Sequence, residues 1–259
     1  MSARPLLIVA GIGNGSGTGA ATARLFAKKG YRVALVARNA DHLSRFAGEI
    51  NSEGGEAAAF PIADYSYNST LSVFDTIFAH KWTTEGPSEF RVGVWNAGSG
   101  VFKGFLDVTE EDITTSLQVN VTAAFAFSRR AVLKFKENGL DERGKRGTLI
   151  FTGATAALRG NTLTSAFAAG KFGVRALSQS LAKEFGKENI HVAHSIIDGS
   201  IFTGQGLSRR SGEDAEKYKK NADTRLDANS IANSYLYLVE QDRSAWTWEL
   251  DLRPAHEKW

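Results

Sequence analysis

Cysteine is absent from this chain of 259 residues, and proline and methionine are scarce. Without cysteine the protein has no disulfide bond, no thiolate nucleophile and no thiolate ligand for a metal ion. Long apolar runs are missing as well. The first run, Leu6–Ala10, is too short for a signal peptide or a membrane-spanning helix, and no later run is long enough. These absences predict a cytoplasmic protein without membrane contact.

A strong excess of one charge is also lacking, since the net charge is +3 and the basic residues are spread along the chain. The densest basic cluster, Arg209–Lys220, contains acidic residues too, so it is typical of a solvated helix face rather than a nucleic-acid-binding surface. His191 and His194 lie on opposite faces of a predicted strand because side chains alternate along it. We therefore expect neither a nucleic-acid partner nor a metal site.

Short apolar runs alternate with helical patterns along the whole chain. The runs predict strands at Leu6–Ala10, Val33–Ala37, Ala57–Ile62, Phe90–Trp95, Thr148–Thr152, Ile190–Ile197 and Thr247–Leu252. Helical spacing is found over Ala20–Lys29, Ala40–Glu53, Leu71–Phe78, Ile113–Lys136, Leu163–Phe185 and Asn229–Val239. This alternation predicts the α/β class, with a Rossmann-type doubly wound parallel sheet and helices on both faces. Because no linker-like change of composition interrupts it, we expect one domain over residues 1–259.

Two segments between these elements carry further signals. Thr109 is followed by three acidic residues, which is typical of a capped helix start. Ser200–Thr224 is polar and has no strong period, so no regular element is predicted there.

Glycines cluster between the first strand and the first helix, in the pattern Gly13-x-x-x-Gly17-x-Gly19. Glycine lets a chain turn tightly and lets a phosphate approach its amide groups, and the positive end of the helix dipole lies beside them. Within a strand–turn–helix–strand unit this pattern indicates a dinucleotide site. The alternative is a glycine-rich surface loop.

The end of the second strand bears on which dinucleotide is bound. NAD sites usually place a carboxylate about 20 residues past the glycine turn. Here Arg38 and Asn39 stand at that place, without an acid. A guanidinium pairs well with a 2′-phosphate, so we expect NADP(H) rather than NAD(H) as the cofactor. The alternative is a surface arginine at a strand end.

With these features the chain resembles the short-chain dehydrogenase/reductase family over nearly its whole length. Asn96-Ala97-Gly98, Asn120 and Lys171 match the family's Asn-Ala-Gly signature, its catalytic-helix asparagine and its active-site lysine. Asp64 matches the acid near the adenine. Gly199 and Thr203 match a Pro-Gly-x-x-x-Thr segment, although Asp198 stands where proline is usual.

The resemblance implies which residues bind the cofactor and which do the chemistry. The implied cofactor-binding residues are Gly13, Ser16, Gly17, Thr18, Gly19, Arg38, Asp64, Asn96, Ala97, Gly98, Lys171, Gly199, Ile201 and Thr203. The implied catalytic residues are Asn120 and Lys171. A substrate lid is expected around residues 203–224.

The chain departs from the family at two catalytic positions. The family has a tyrosine four residues before the lysine and a serine thirteen before that tyrosine, and here these positions hold Phe167 and Ala154. No tyrosine occurs between Tyr67 and Tyr218, so no shift of register restores the motif. In the family the tyrosine protonates the carbonyl oxygen as hydride arrives. A positioned acid contributes about 10²–10⁴-fold, so ordinary ketone reduction needs a replacement group.

Several groups near the strand ends are candidates for that replacement. The hydroxyls of Ser99, Thr155 and Ser165 are poor acids. The alternative for each is that it caps a helix or forms a hydrogen bond at a strand end. Lys171 contacts the nicotinamide ribose in the family, and its burial beside a cationic ring would depress its pKa. It can therefore relay a proton through the ribose and a water. Asn120 holds a water in that relay, or else only marks a bulge in its helix.

Two functions remain open from the sequence. The first is an NADP(H)-dependent oxidoreductase that transfers hydride to a carbonyl, an imine or iminium, or a conjugated acceptor, in a pocket lined by Phe102, Phe105, Leu158 and Phe167. The second is a catalytically silent NADP(H)-binding sensor or scaffold. The resemblance also implies a homodimer or homotetramer in which two helices pair across subunits through Phe125, Phe127, Val132, Phe172 and Leu177.

Overall fold

The computed structural model describes residues 3–208 and 211–256, except for the side chain of Gln205. One parallel sheet runs through the molecule in the order β3-β2-β1-β4-β5-β6-β7. Its strands are β1 (Arg4–Ala10), β2 (Arg32–Ala37), β3 (Glu56–Pro61), β4 (Ser88–Trp95), β5 (Gly147–Thr152), β6 (Ile190–Ile197) and β7 (Glu249–Leu252). The strand order reverses between β1 and β4, which opens a crevice at the carboxyl ends of the strands. The predicted single-domain doubly wound fold is confirmed.

Helices cover both faces of this sheet. They are α1 (Thr18–Lys28), α2 (Ala40–Ser52), α3 (Tyr67–Ala79), α4 (Glu110–Leu117), α5 (Ala123–Glu137), α6 (Ser165–Phe185), α7 (Gly204–Ser208), α8 (Gly212–Lys220) and α9 (Ala228–Glu240). Phe26 of α1 and Ile231 of α9 pack in the core on one face, and Phe127 of α5 and Val174 of α6 pack in the core on the other. Strand β2 is buried along its whole length, and its sequence after Arg32 is continuously apolar.

The helix predicted over Ile113–Lys136 is interrupted in the structure. Its start is as expected, since Thr109 and Asp112 form a reciprocal capping box before α4. A π-helical turn, Gln118–Thr122, then separates α4 from α5. At this turn the Asn120 amide donates to the carbonyls of Ser99 and Ser116, both at 2.9 Å. The apolar pattern continues through the turn, so the sequence alone indicated one helix.

The segment Ser200–Thr224 contains more regular structure than its sequence indicated. Helices α7 and α8 and a 3-10 turn at Ala222–Thr224 lie within it. Helix α8 buries only Tyr218, so it has no apolar stripe that a periodicity would reveal. Residues 209–210 of the predicted lid, including Arg209 of the basic cluster, lie outside the described residues.

Three of the residues expected at a subunit contact are in the core instead. Phe127, Val132 and Leu177 are buried against the sheet, so their assignment to an interface is wrong. Phe125 and Phe172 are exposed, by 51% and 43%. Within the described part of the chain, no helix is both long and apolar enough to cross a membrane.

Candidate active site

The glycine turn is closed tightly against the end of β4. A Cβ atom on Gly19 would overlap the Gly11 carbonyl oxygen, and the Asn96 amide donates to that same oxygen at 2.6 Å. A Cβ atom on Gly11, where φ is +97°, would lie against the backbone of Ala97. These glycines are therefore required by close packing, and the packing places the start of α1 at the carboxyl edge of the sheet.

The outer side of the turn is open. No atom lies within 4 Å of a Cβ placed on Gly13, and one placed on Gly17 would meet only Thr203 Cγ2, at 3.9 Å. Ser16 Oγ donates to Asn14 Oδ1 at 2.6 Å and accepts from the Gly204 amide at 3.2 Å. The start of α7 thus lies across the turn. The first amides of a helix have no partner within it, so this open cradle fits a phosphate group.

Arg38 stands exposed at the end of β2. Its guanidinium lies over the Tyr65 ring, 5.5 Å from the centroid. Burial raises the pKa of the Tyr65 hydroxyl to about 12, although Arg38 acts to lower it. Among residues 3–208 and 211–256, no carboxylate lies within ion-pair distance of Arg38. The Asp64 carboxylate accepts from the Ser66 amide at 2.9 Å just before α3.

Lys171, Asn120 and Gly98 meet at the centre of the carboxyl edge. Lys171 is buried in α6, and its Nζ donates to the Thr152 carbonyl at 3.0 Å. Burial lowers the pKa of Lys171 to about 8. A methyl group on Gly98 would lie 3.3 Å from both Lys171 Nζ and Asn120 Oδ1. That amide oxygen is buried and accepts no hydrogen bond from any described residue, so the site has an acceptor available for a ligand or a water.

Phe167 and Ala154 make this site apolar on one side. Phe167 lies in the first turn of α6, and its ring centroid is 5.4 Å from that of Phe102. Lys171 Nζ is 6.0 Å from the centre of the Phe167 ring. Ala154 follows β5, two residues after the carbonyl that accepts from Lys171. Neither Phe167 nor Ala154 supplies a proton or a hydrogen bond there.

The remaining predicted residues lie after β6. Gly199 has a φ of +147°, Ile201 pairs with Leu226 in an isolated bridge, and the Thr203 hydroxyl accepts from the Gly206 amide at 2.9 Å. Thr203 lies beside the glycine turn, since its Cγ2 is 3.9 Å from a Cβ placed on Gly17. The site therefore unites segments that are up to 190 residues apart along the chain, such as Asn14 and Gly204.

A buried charge cluster next to this site was not predicted from the sequence. Asp198 is buried, accepts from the Thr155 hydroxyl and pairs with Arg253, and Arg159 lies 3.7 Å away. The replacement of the usual proline by Asp198 was visible as a signal. Its partners were not, because they follow two other strands, β5 and β7, and show no common spacing.

Comparisons with known proteins agree with this architecture. The family model described as short chain dehydrogenase matches residues 7–211. The 3-oxoacyl-[acyl-carrier-protein] reductase of Mus musculus is 29% identical over 235 residues, which cover 90% of this chain and 91% of the relative.

Solved structures show the same likeness. A short-chain dehydrogenase from Rhodopseudomonas palustris superposes with a TM-score of 0.77 at 29% identity, covering 96% of this chain and 98% of the other. The alcohol dehydrogenase of Thermococcus sibiricus, solved with 5-hydroxy-NADP, reaches 0.80 at 21% identity and covers 98% of both chains, which shows the shared fold. The chain thus belongs to the short chain dehydrogenase family of oxidoreductases.

Proposed function

We propose that the protein is an NADP(H)-dependent oxidoreductase that works without the family's tyrosine and serine and transfers hydride to a small organic substrate. The observation that carries this proposal is the meeting of Lys171, Asn120 and Gly98 beside the hydroxyl-free side chain of Phe167. The lysine and asparagine of a reducing site are kept, while the usual acid is replaced by a ring.

The residues present fit a nicotinamide dinucleotide. The open cradle at Gly13 and Gly17 suits the diphosphate, and the exposed guanidinium of Arg38 suits a 2′-phosphate. Lys171 would hold the nicotinamide ribose. The other residues that we assign to this cofactor are Ser16, Thr18, Gly19, Asp64, Asn96, Ala97, Gly98, Gly199, Ile201 and Thr203. When bound, the cofactor supplies the hydride.

The protein's own groups limit which substrates can accept that hydride. A positioned acid is worth about 10²–10⁴-fold, and neither Phe167 nor Ala154 provides one. An iminium already carries positive charge, and a conjugated acceptor can be protonated afterwards at carbon. Lys171, with its pKa lowered to about 8 by burial, is the remaining acid for a carbonyl substrate. These three substrate classes are therefore the proposed ones.

Nucleotide binding tests the cofactor assignment. We expect a lower dissociation constant for NADPH than for NADH. Arg38→Met should raise the NADPH constant about tenfold to a hundredfold, because a charged hydrogen bond is lost, and leave the NADH constant unchanged. Arg243→Met, at an exposed arginine before β7, is the matched control. Equal or tighter NADH binding by the unaltered protein would contradict the assignment.

Turnover tests the activity itself. NADPH oxidation is followed spectroscopically with panels of ketones, imines and conjugated enones, and we expect turnover in the imine or enone panel. Tight NADPH binding without oxidation in any panel would instead support the silent sensor or scaffold protein.

A further inference from the structure

The carboxyl ends of β5, β6 and β7 hold four side chains that the proposed reaction does not use. Asp198, at the end of β6, is 1% exposed. Thr155 follows β5, Arg159 lies four residues later, and Arg253 follows β7. A buried carboxylate is costly unless it is hydrogen-bonded and paired, so these partners explain why Asp198 is tolerated there.

Asp198 and Arg253 balance each other's charge. Asp198 Oδ1 accepts from the Thr155 hydroxyl, and Asp198 Oδ2 pairs with Arg253 Nη1. Arg253 Nη2 also pairs with Asp251 at 2.8 Å. The backbone amide of Asp198 donates to the Leu252 carbonyl at 2.9 Å, which ties the end of β6 to β7. Two ion pairs and this backbone hydrogen bond therefore hold Asp198 and Arg253 between β6 and β7.

Arg159 differs from the other members of the cluster. Its side chain is 40% exposed, and its guanidinium lies 3.7 Å from Asp198 Oδ2, which is ion-pair distance but not a hydrogen bond. The side chain donates no hydrogen bond to any residue within 3–208 or 211–256. A guanidinium has five N–H donors in a fork that matches a carboxylate, so Arg159 is oriented by a buried charge while its donors remain available.

The position of Arg159 is next to the candidate active site. Its backbone amide donates to the Thr155 carbonyl at 3.2 Å, and Thr155 directly follows Ala154. The same loop continues to Leu163, whose carbonyl accepts from the Lys103 amide at 3.0 Å. That bond holds the loop against the segment that carries Phe102.

An apolar surface accompanies the guanidinium. Phe102 and Leu163 are exposed by 62% and 51%, and Phe102 packs on Phe167. Leu163 lies four residues from Arg159, a chain distance of at most about 15 Å. Arg159 and Leu163 therefore belong to one loop segment, short enough for a single small molecule to contact both side chains.

We propose that Arg159, oriented by Asp198, binds a carboxylate of the substrate, and that the substrate is an apolar carboxylic acid with a reducible double bond. This inference rests on the proposed function for the reducible bond. The apolar body covers Phe102, Leu163 and Phe167, and the carboxylate accepts from the Arg159 fork in a bidentate arrangement. Asp198 is a positioning residue, which acts through Arg159.

Paired probes test this substrate class. The probes are phenylpyruvate, 4-oxo-4-phenylbutanoate and 5-oxo-5-phenylpentanoate, each compared with its primary amide, and binding to the NADP⁺-loaded protein is measured by calorimetry. We expect at least one acid to bind about tenfold or more tightly than its amide, because a charged hydrogen bond to arginine is formed. No preference for any acid over its amide would overturn the proposal.

Substitutions assign the preference to Arg159. Arg159→Met should abolish the acid preference and leave amide and NADPH binding unchanged, and Arg159→Lys should restore part of it. Arg243→Met is the control and should keep the preference. An equal loss of acid and amide binding in Arg159→Met would mean a structural role, and an undiminished preference would place the anion elsewhere. Either result overturns the proposal.

A double-mutant cycle tests the positioning role of Asp198. Asp198→Asn should change the acid-to-amide binding ratio when Arg159 is present and have no effect on it in the Arg159→Met background. A merely structural effect of Asp198→Asn would change the ratio equally in both backgrounds, or change neither ratio.

Turnover separates this inference from the proposed function. An Arg159-dependent acid preference without any NADPH oxidation would retain the carboxylate site and reject the oxidoreductase activity.

Discussion

Phe167 and Ala154 are the two residues on which the proposed mechanism depends most. Both lie at the carboxyl edge of the sheet, near the buried ammonium of Lys171. A phenol in place of the Phe167 ring would share the surroundings of a lysine whose pKa is about 8. In the proposed function the lysine of the site is therefore present, while neither of these two residues supplies an acid.

Restoring both hydroxyls tests whether anything else has changed. For the double variant Phe167→Tyr, Ala154→Ser we expect at least about a tenfold gain in ketone reduction, because a positioned general acid is returned. The rate of NADPH oxidation with a ketone panel measures it. Ser165→Tyr, which adds a phenol on the exposed start of α6, is the control. An unchanged rate in the double variant would mean that the pocket has diverged beyond the two groups.

At the scale of elements, the contact between α6 and the π turn decides where Lys171 lies. Gly170 precedes Lys171, and a Cβ atom there would lie 2.8 Å from Asn120 Nδ2 and 2.9 Å from Ser116 Oγ. Ser116 Oγ in turn donates to the Ala166 carbonyl at 2.8 Å. Helix α6 can approach this turn closely because position 170 has no side chain.

A methyl group at this contact should separate the two elements. We expect Gly170→Ala to lower the free energy of unfolding by about 1–3 kcal/mol, because the added carbon overpacks the interface. Gly48→Ala, within α2 where no atom lies within 4 Å of the new Cβ, should raise it by about 0.4–1 kcal/mol. Urea denaturation measures both. A neutral Gly170→Ala would show that α6 can shift without cost.

At the amino ends of β2 and β3, away from the candidate active site, a buried ion pair joins the two strands. Arg32 of β2 pairs with Glu56 of β3 at 3.2 Å, and both side chains are buried. Desolvation acts to raise the pKa of Glu56, but hydrogen bonds from Thr84, Thr83 and Arg32 outweigh it and lower the value from 4.5 to about 2. The folded protein therefore binds a proton at this carboxylate more weakly than the unfolded chain.

This difference predicts a dependence of stability on pH. The contribution of Glu56 is fully present above pH 4.5 and is lost as the pH falls towards about 2. Glu56→Gln should lower the free energy of unfolding at neutral pH by about 3 kcal/mol, since it leaves the Arg32 charge buried with a weaker partner. Urea denaturation at several pH values from about 6 to about 3 measures this. The free energy of unfolding should fall less steeply with pH in the variant than in the wild type.

Glu213→Gln is the control for this prediction, because the Glu213 side chain is 90% exposed on α8. Its stability should follow the wild-type pH profile, since a surface ion pair contributes little. Parallel profiles for Glu56→Gln and the wild type would contradict the assigned role of Glu56.

At the scale of the whole molecule, helices α5 and α6 expose large aromatic side chains on their outer surfaces, away from the sheet. Phe125 and Phe172 project from helices whose other side chains, such as Phe127 and Val174, belong to the same core. Exposed aromatic residues on adjoining helices are typical of a protein–protein contact. The expected homodimer or homotetramer would bury them.

Light scattering tests this assembly. We expect the unaltered protein at the mass of a dimer or tetramer, and Phe125→Arg at a lower mass, because a charge buried at an apolar contact is costly. Tyr237→Arg, at a residue exposed by 56% on α9, is the control and should keep the mass of the unaltered protein. A monomer mass for the unaltered protein would contradict this prediction.

The degree to which each feature was predictable follows from how local its cause is. The strand β6 was predicted with its observed bounds, because branched apolar residues begin and end the segment and Asp198-Gly199 follows it directly. The capping box at Thr109 depends on residues three apart. The helices of the Ser200–Thr224 segment were missed because α8 is held mainly through Tyr218, whose hydroxyl donates to the Ile201 carbonyl at 2.9 Å.

The sequence by itself determined the alternation of strands and helices, the glycine turn, the basic end of β2 and the side chains without a hydroxyl at Ala154 and Phe167. Each of these depends on residue type or on spacing within one or two elements. Only the tertiary structure decided that Asp198 contacts Thr155, Arg159 and Arg253, and that the Asn120 side-chain oxygen, to which no described residue donates, lies near Lys171. These contacts join residues that follow different strands. Strand order in the sheet brings those residues together, and no local period of the sequence encodes that order.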